Sequence, residues 1–284
     1  LFDSVAYKNV VSNGLVLDKN GNKMSKSKGN TVDPFATIEK YGADVTRWYM
    51  ISNSQPWDNL KFDEEGLAET SRKLFGTIYN TYNFFAIYAN IDTFKFEPSC
   101  VTPIHERTEI DRWVISKLHS LVKETTAAYA DYEPTKAARL IEDFVIEHLS
   151  NWYVRLCRRR FWGNELSQDK KAAFETLYEC LQTVAQLMSP IAPFFSDWLW
   201  QNLSDTKTSV HLSSILAADE HLIDVPLEQR MEWAQEIASL VLSLRKKTKI
   251  KVRQPLQKIL IPAIDKEFIA QIDKVKSLIL AEVN

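Results

Sequence analysis

The sequence has only three cysteines, Cys100, Cys157 and Cys180, spread over 284 residues. None belongs to a Cys-x-x-Cys pair and no histidines are paired, so neither a disulfide framework nor a zinc site is indicated. A reducing compartment fits that usage. No run of 18 apolar residues occurs and no signal peptide precedes the first element, which predicts a cytoplasmic protein without a membrane span. An excess of one charge is missing too. With 35 Lys and Arg against 37 Asp and Glu, the formal charge is -2, so any basic surface has to be local and offset by acidic surface elsewhere. Repeats and low-complexity stretches are absent. What is there is an ordinary globular composition, 45% hydrophobic and 25% charged, in a chain long enough for one large or two modest cores.

The most informative stretch is Lys23-Met24-Ser25-Lys26-Ser27, preceded by Gly21 and followed by Lys28-Gly29-Asn30. Three lysines within six positions, two serines between them and a glycine on each side predict a short cationic loop suited to a polyphosphate. Ammonium groups act as point charges on phosphate oxygens, hydroxyls add donors, and glycine lets the backbone come close. A phosphate-binding P-loop needs Gly immediately before Lys-Ser; Ser25 stands there instead, which excludes that motif. Before the loop, residues 10–18 read as two short strands around an Asn-Gly turn. After it, Asp33 caps a helix with Pro34 at its first position, Gly42 ends that helix, and Asp44 begins another.

From Asp63 onward the pattern is helical. Leu67, Leu74, Ile78, Tyr82 and Phe85 recur at steps of three and four to about Asn90; further helices are expected from about Glu109 to Ala130, from Pro134 through Trp152, and from about Asp169 to Met188. A short aromatic helix follows Pro193. Amphipathic helices with short connections predict an antiparallel bundle. Within it, residues 151–162 carry four arginines, four aromatics and no acid. Arginine beside exposed aromatics suits phosphates and unpaired bases; equally, the arginines could pair with Glu142, Asp143 and Glu147 and complement their own helix dipole. A second basic cluster, Arg245, Lys246, Lys247, Lys249, Lys251, Arg253 and Lys258, ends a helix whose expected apolar face is Met231, Ala234, Ile237, Leu240, Val241 and Leu244. An extended stretch from Ile250 to Ile261 and a last helix after Asp265 complete a helix-strand-helix order.

Lys23 to Ser27 with Lys28-Gly29-Asn30, Asp33-Pro34 and Tyr41-Gly42-Ala43-Asp44 resembles the second signature of class I aminoacyl-tRNA synthetases. The order of lysine loop, bundle and Ser189-to-Phe194 junction is similar to the isoleucine, valine and leucine group. Asn151-Trp152-Tyr153, Arg158 to Trp162, Ser54 to Leu60 and Arg253-Gln254-Pro255-Leu256 are most similar to its isoleucyl branch. At Leu156-Cys157 related isoleucyl enzymes often carry an arginine and a serine.

The resemblance covers essentially the whole chain and implies a mainly α fold. Residues 1–62 would end an α/β catalytic domain, 63–208 would form the anticodon-binding bundle, and 209–284 would form a small α/β segment. It further implies Lys23 and Lys26 as catalytic contacts to ATP, with Met24, Ser25 and Ser27 against the nucleotide. Trp152, Arg155, Arg158, Arg159, Arg160, Trp162, Lys246, Lys247 and Arg253 would contact tRNA(Ile). Magnesium would enter with ATP rather than through a protein cage. A monomer is expected, as is disorder of the lysine loop without its nucleotide pocket. No His-x-Gly-His, the family's first ATP signature, surrounds any of the five histidines, and the chain begins at Leu1. A piece of a longer ligase, inactive alone, is therefore expected; the alternatives are a valyl or leucyl counterpart and a non-catalytic helical RNA-binding protein.

Overall fold

The computed structural model describes residues 3–163, 165–204, 208–262 and 265–284. They fall into two compact units, divided between Glu220 and His221.

The first unit opens with β1, Val16–Leu17, which pairs in parallel with β2, Leu60–Lys61. The expected Asn-Gly hairpin is not formed. The partner strand comes from downstream, and Gly14 serves a close approach: its N–H donates to Pro56 O at 2.8 Å, and a Cβ there would lie 2.1 Å from Asp58 O. Helix α1, Pro34–Tyr41, starts as read, with the Asp33 carboxylate accepting from the Phe35 and Ala36 N–H groups. Gly42, at φ 86°, separates it from α2, Ala43–Asn53.

Helix α3 runs over 64–91. It begins on the Asp63 cap, and its α-helical parts, Glu64–Thr70 and Gly76–Ile91, flank a π-helical Ser71–Phe75. Helix α4, Glu109–Ala130, opens on a reciprocal capping box between Thr108 and Asp111. Helix α5 runs over 134–161, with Pro134 at its first position and a π-helical Phe144–Val154 between Pro134–Asp143 and Arg155–Phe161. Helices α6, Gln168–Met188, and α7, Pro193–Leu203, complete the unit.

Trp113, Leu118, Ile141, Leu149, Phe174, Leu177, Leu181 and Leu187 are fully buried, each contributing about 1.5–3 kcal/mol by leaving water. Helix α6 is buried on every side, so the single apolar stripe read from its sequence understates it. Its charges face a buried partner. Arg107 donates to Thr102 O, Thr176 Oγ1 and Glu179 Oε1, while Glu175 accepts from the Thr102 N–H.

In the second unit α8, Val225–Lys247, packs on α9, Lys266–Val283. The buried line on α8 is Leu227, Met231, Ala234, Ala238 and Arg245. Leu240 and Leu244, expected on that face, are 65% and 59% exposed. The expected strand is not formed among the described residues of 250–261. Its carbonyls have other donors: Arg245 Nη1 bonds Lys251 O and Gln254 O, and Asn284 Nδ2 bonds Val252 O. The mainly α class stands, with this segment irregular rather than α/β.

Candidate functional site

The lysine loop is mounted on β1. Leu17 bridges to Lys23, and between them Asp18 gathers the turn by accepting from the Asn20 and Asn22 N–H groups at 3.0 and 2.8 Å. Asn30 closes the loop from the other side. Its Nδ2 donates to Asp18 Oδ2 at 2.9 Å and Lys23 O at 3.3 Å, and its Oδ1 accepts from Ser25 N at 2.9 Å. The Asn30 amide and then the Asn22 N–H hold the Asp18 carboxyl below its ordinary range. Residues Lys26–Lys28 make one 3₁₀ turn, ended by Gly29 at φ 64°. Asn30 thus ties both limbs of the turn. Lys23, Lys26, Ser27 and Lys28 face solvent, with Met24 and Ser25 half-buried beneath them and Ser25 Oγ 3.2 Å from Ser27 Oγ. Exposed ammonium groups and hydroxyls on a short turn suit phosphate oxygens.

At the far end of α5 the arginines divide. Arg155, Arg158 and Arg159 are exposed, and Trp162 is 56% exposed beside them. Neither Arg158 nor Arg159 forms an ion pair among the described residues. Arg155 Nε donates to Asn151 O, and its guanidinium lies 5.8 Å from the centre of the Trp152 ring, a cation–π contact. Trp152 itself is 4% exposed and packs into the bundle.

Arg160 turns inward. Its Nη1 and Nη2 donate to the two oxygens of Asp111 at 2.7 and 2.8 Å, and its Nε and Nη2 donate to Asp169 at 3.0 and 2.9 Å. Tyr153 Oη and the Thr108 hydroxyl complete the shell of Asp111. Burial works against the Asp111 charge, but the bonds and charge of Arg160, with Thr108 and Tyr153, outweigh it and hold the carboxyl below its ordinary range. Burial, then the Asp111 charge, pushes the Tyr153 phenol well up. Burial also raises the neighbouring Cys157 thiol to about 12.

In the second unit Lys246, Lys247 and Arg253 are exposed, whereas Arg245 is 2% exposed and fastens the 250–254 segment. Sequence reading missed Asp18 and Asn30 as loop anchors and Asp111 as the node behind the arginines. The Asp18-x-Asn20-x-Asn22 spacing was an available turn signal. The Thr108-x-x-Asp111 spacing was a local signal for a helix start; nothing local announced Asp111 as the partner of Tyr153 and Arg160, 42 and 49 residues away. Among the described residues, no helix is long and apolar enough to cross a membrane.

The fold and these two places define a helical bundle with an exposed arginine-rich helix end, joined to a strand module that carries a cationic loop. Known families agree with that outline. The family of the anticodon-binding domain of tRNA ligase matches residues 111–260, and that of class I tRNA synthetases (I, L, M and V) matches residues 1–63. The chain belongs to the tRNA-ligase anticodon-binding family. It is 59% identical, over 100% of its length, to an isoleucine–tRNA ligase of Bacteroides thetaiotaomicron, of which it covers 25%. It is 43% identical, over 93% of its length, to that of Thermus thermophilus, of which it covers 26%. The chain thus spans about a quarter of these curated relatives. Among solved structures, a ternary complex of Agrobacterium radiobacter K84 agnB2 LeuRS, tRNA and LeuAMS superposes with TM-score 0.54 at 20% identity. That match covers 88% of this chain and 31% of the other, and it shows the fold alone.

Proposed function

We propose that this chain is part of an isoleucine–tRNA ligase, which activates isoleucine with ATP and transfers it to tRNA(Ile). The observation that carries the reading is the 59% identity to an isoleucine–tRNA ligase over the whole chain. The geometry is compatible with it at both candidate places. Lys23 and Lys26, with Met24, Ser25 and Ser27, serve the ATP phosphates; their charge stabilises the pyrophosphate as it leaves. The donors at the loop tip are ammonium and hydroxyl groups, which fit phosphate oxygens, so magnesium arrives on the nucleotide. Arg155, Arg158, Arg159 and Trp162 face the anticodon arm, while Arg160 and Trp152 act behind them as support. Lys246, Lys247 and Arg253 add backbone contacts. On this reading 1–62 ends the catalytic domain, 63–208 is the anticodon bundle and 209–284 is a junction, in a monomeric cytoplasmic enzyme.

The test is binding of the chain to isoleucine and valine tRNAs, each also with exchanged anticodons, across a salt series. The isoleucine anticodon is expected to be preferred, and Arg158→Ala or Arg159→Ala should remove the preference. Each lost phosphate contact lowers the slope of log affinity against log salt by about 0.7–0.9. Equal binding of all RNAs by the unaltered chain would sink the isoleucine reading.

A further inference from the structure

The segment Ser54-Gln55-Pro56-Trp57-Asp58-Asn59 lies between α2 and β2, and what holds it points beyond the two sites above. A helix end leaves its last carbonyls without partners of their own. At the end of α2, four successive carbonyls are met by two residues of α5. The Thr135 hydroxyl lies 2.7 Å from Ile51 O and 3.0 Å from Ser54 O. Arg139, one turn further, donates from Nε to Ser52 O at 2.9 Å and from Nη2 to Asn53 O at 3.1 Å. A third residue on the same face, Glu142, accepts from Trp48 Nε1 of α2.

Beyond that grip the path continues without a gap. The Gly14 N–H donates to Pro56 O, the Leu15 N–H to Asn59 Oδ1, and β1 then pairs with β2 and runs into the lysine loop. Apolar packing is not all that holds this seam: Trp48 of α2 and Ala138 and Ile141 of α5 are buried, and polar bonds add to them. Clefts of about 410 and 620 Å³ flank it, and Arg139 lines both. Thr135, by contrast, is fully buried, so its hydroxyl is placed by its surroundings and not by water.

We propose that Thr135 and Arg139 are positioning residues for the lysine loop. By holding the end of α2 they set, through 54–59 and β1, where Lys23 and Lys26 meet ATP. Residues of the anticodon bundle thus act in the adenylate step, more than 100 positions along the chain from the loop they serve. The proposal rests on the ATP reading of that loop given above.

The experiment uses the full-length ligase. Thr135→Val keeps the volume and removes the hydroxyl; Thr135→Ser restores it; Arg139→Ala probes the exposed half of the grip. Isoleucine-dependent ATP–pyrophosphate exchange is measured with each, alone and combined with Lys26→Ala, along with tRNA affinity. A loop displaced by less than an ångström should lower kcat of exchange by about five- to tenfold, with KM for isoleucine unchanged. Affinity for tRNA should not move, since Arg155 lies 20 residues beyond Thr135 and 16 beyond Arg139 along α5, roughly 20–30 Å away at or somewhat below the ~1.5 Å rise of an α-helix. Thr135→Ser should match the unaltered enzyme, and Thr135→Val should add little once Lys26 is gone. If Lys26→Ala lowers exchange but Thr135→Val and Arg139→Ala leave it intact, or multiply with Lys26→Ala as independent losses, the positioning role is refuted. If Lys26→Ala leaves exchange intact, the ATP reading itself fails and takes this proposal with it.

Discussion

Replacing Asp111 by Asn tests the account of the arginine-rich helix end most directly. Asp111 is fully buried and accepts from both Nη atoms of Arg160, from Tyr153 and from Thr108. Asparagine keeps the shape but removes the charge, and it turns an NH₂ group toward a donor. Arg160 would keep Asp169, whose side chain is half exposed, as its carboxylate partner. Removing one partner of a buried pair costs about 3–5 kcal/mol. For a unit of this size each kcal/mol moves Tm by about 2–4 °C, so a fall of about 6 °C or more is expected at pH 7.

The pH dependence carries a sign. The native carboxyl of Asp111 titrates below its unfolded value of about 3.9, so its stabilisation is present above that pH. It is lost as pH falls through the lower native value. The gap between Asp111→Asn and the unaltered chain, followed by circular dichroism melts, should therefore be full near neutrality and close below about pH 4. A gap under 2 °C at pH 7, or one that stays constant into acid, would refute the reasoning.

Two further outcomes follow from burial and backbone geometry. Of the three thiols only Cys100 is exposed, and burial pushes Cys157 to about 12 and Cys180 well above the usual range. An aromatic disulfide reagent at pH 8 should read one fast equivalent on the folded chain and three after denaturation. Gly14→Ala places a Cβ 2.1 Å from Asp58 O, so β1 has to shift. Hydrogen exchange should show lost protection at Leu60 and Phe62, which bond Leu15 and Leu17, with the bundle core unaffected. Unchanged protection at those two amides would contradict the close approach.

Local signals carried the helices well. Asp33, Asp63 and Asp265 each cap where a carboxylate beside an apolar periodic run implies a helix start, and Pro34, Pro134 and Pro193 sit in first turns. Pairings between distant segments were not legible. Asn13-Gly14 permits a hairpin without requiring one, and the true partner of β1 is set by contacts more than 40 residues away. The α8 stripe slipped because Leu240 and Leu244 look like core residues, while the buried position is Arg245, an unusual core residue that carries its own set of backbone acceptors. The cationic character of both candidate places was readable; which cations point outward was not.

That division among the arginines follows from how α5 is wound. Read as one α-helix, Ala137, Ile141, Phe144, Leu149 and Trp152 make a single stripe, and extrapolating it fixes the faces of 155–162. The structure instead inserts a π-helical Phe144–Val154. Its i→i+5 bonds turn each residue through less than the ~100° of an α-helix, so the faces beyond it are rotated relative to the extrapolation. Trp152, Tyr153 and Val154 are buried in succession, and the stripe resumes at Cys157 and Phe161. On the resumed phase Arg155, Arg158 and Arg159 project outward, while Arg160, beside Phe161, meets Asp111. A π-helical stretch is an unfavoured way to continue a helix, so it persists where packing on both sides demands it. Here Trp152 and Tyr153 fill the core, and the buried carboxylate of Asp111 fixes the end. The aromatic pair and Arg160 thus set the angle at which the exposed arginines leave the bundle.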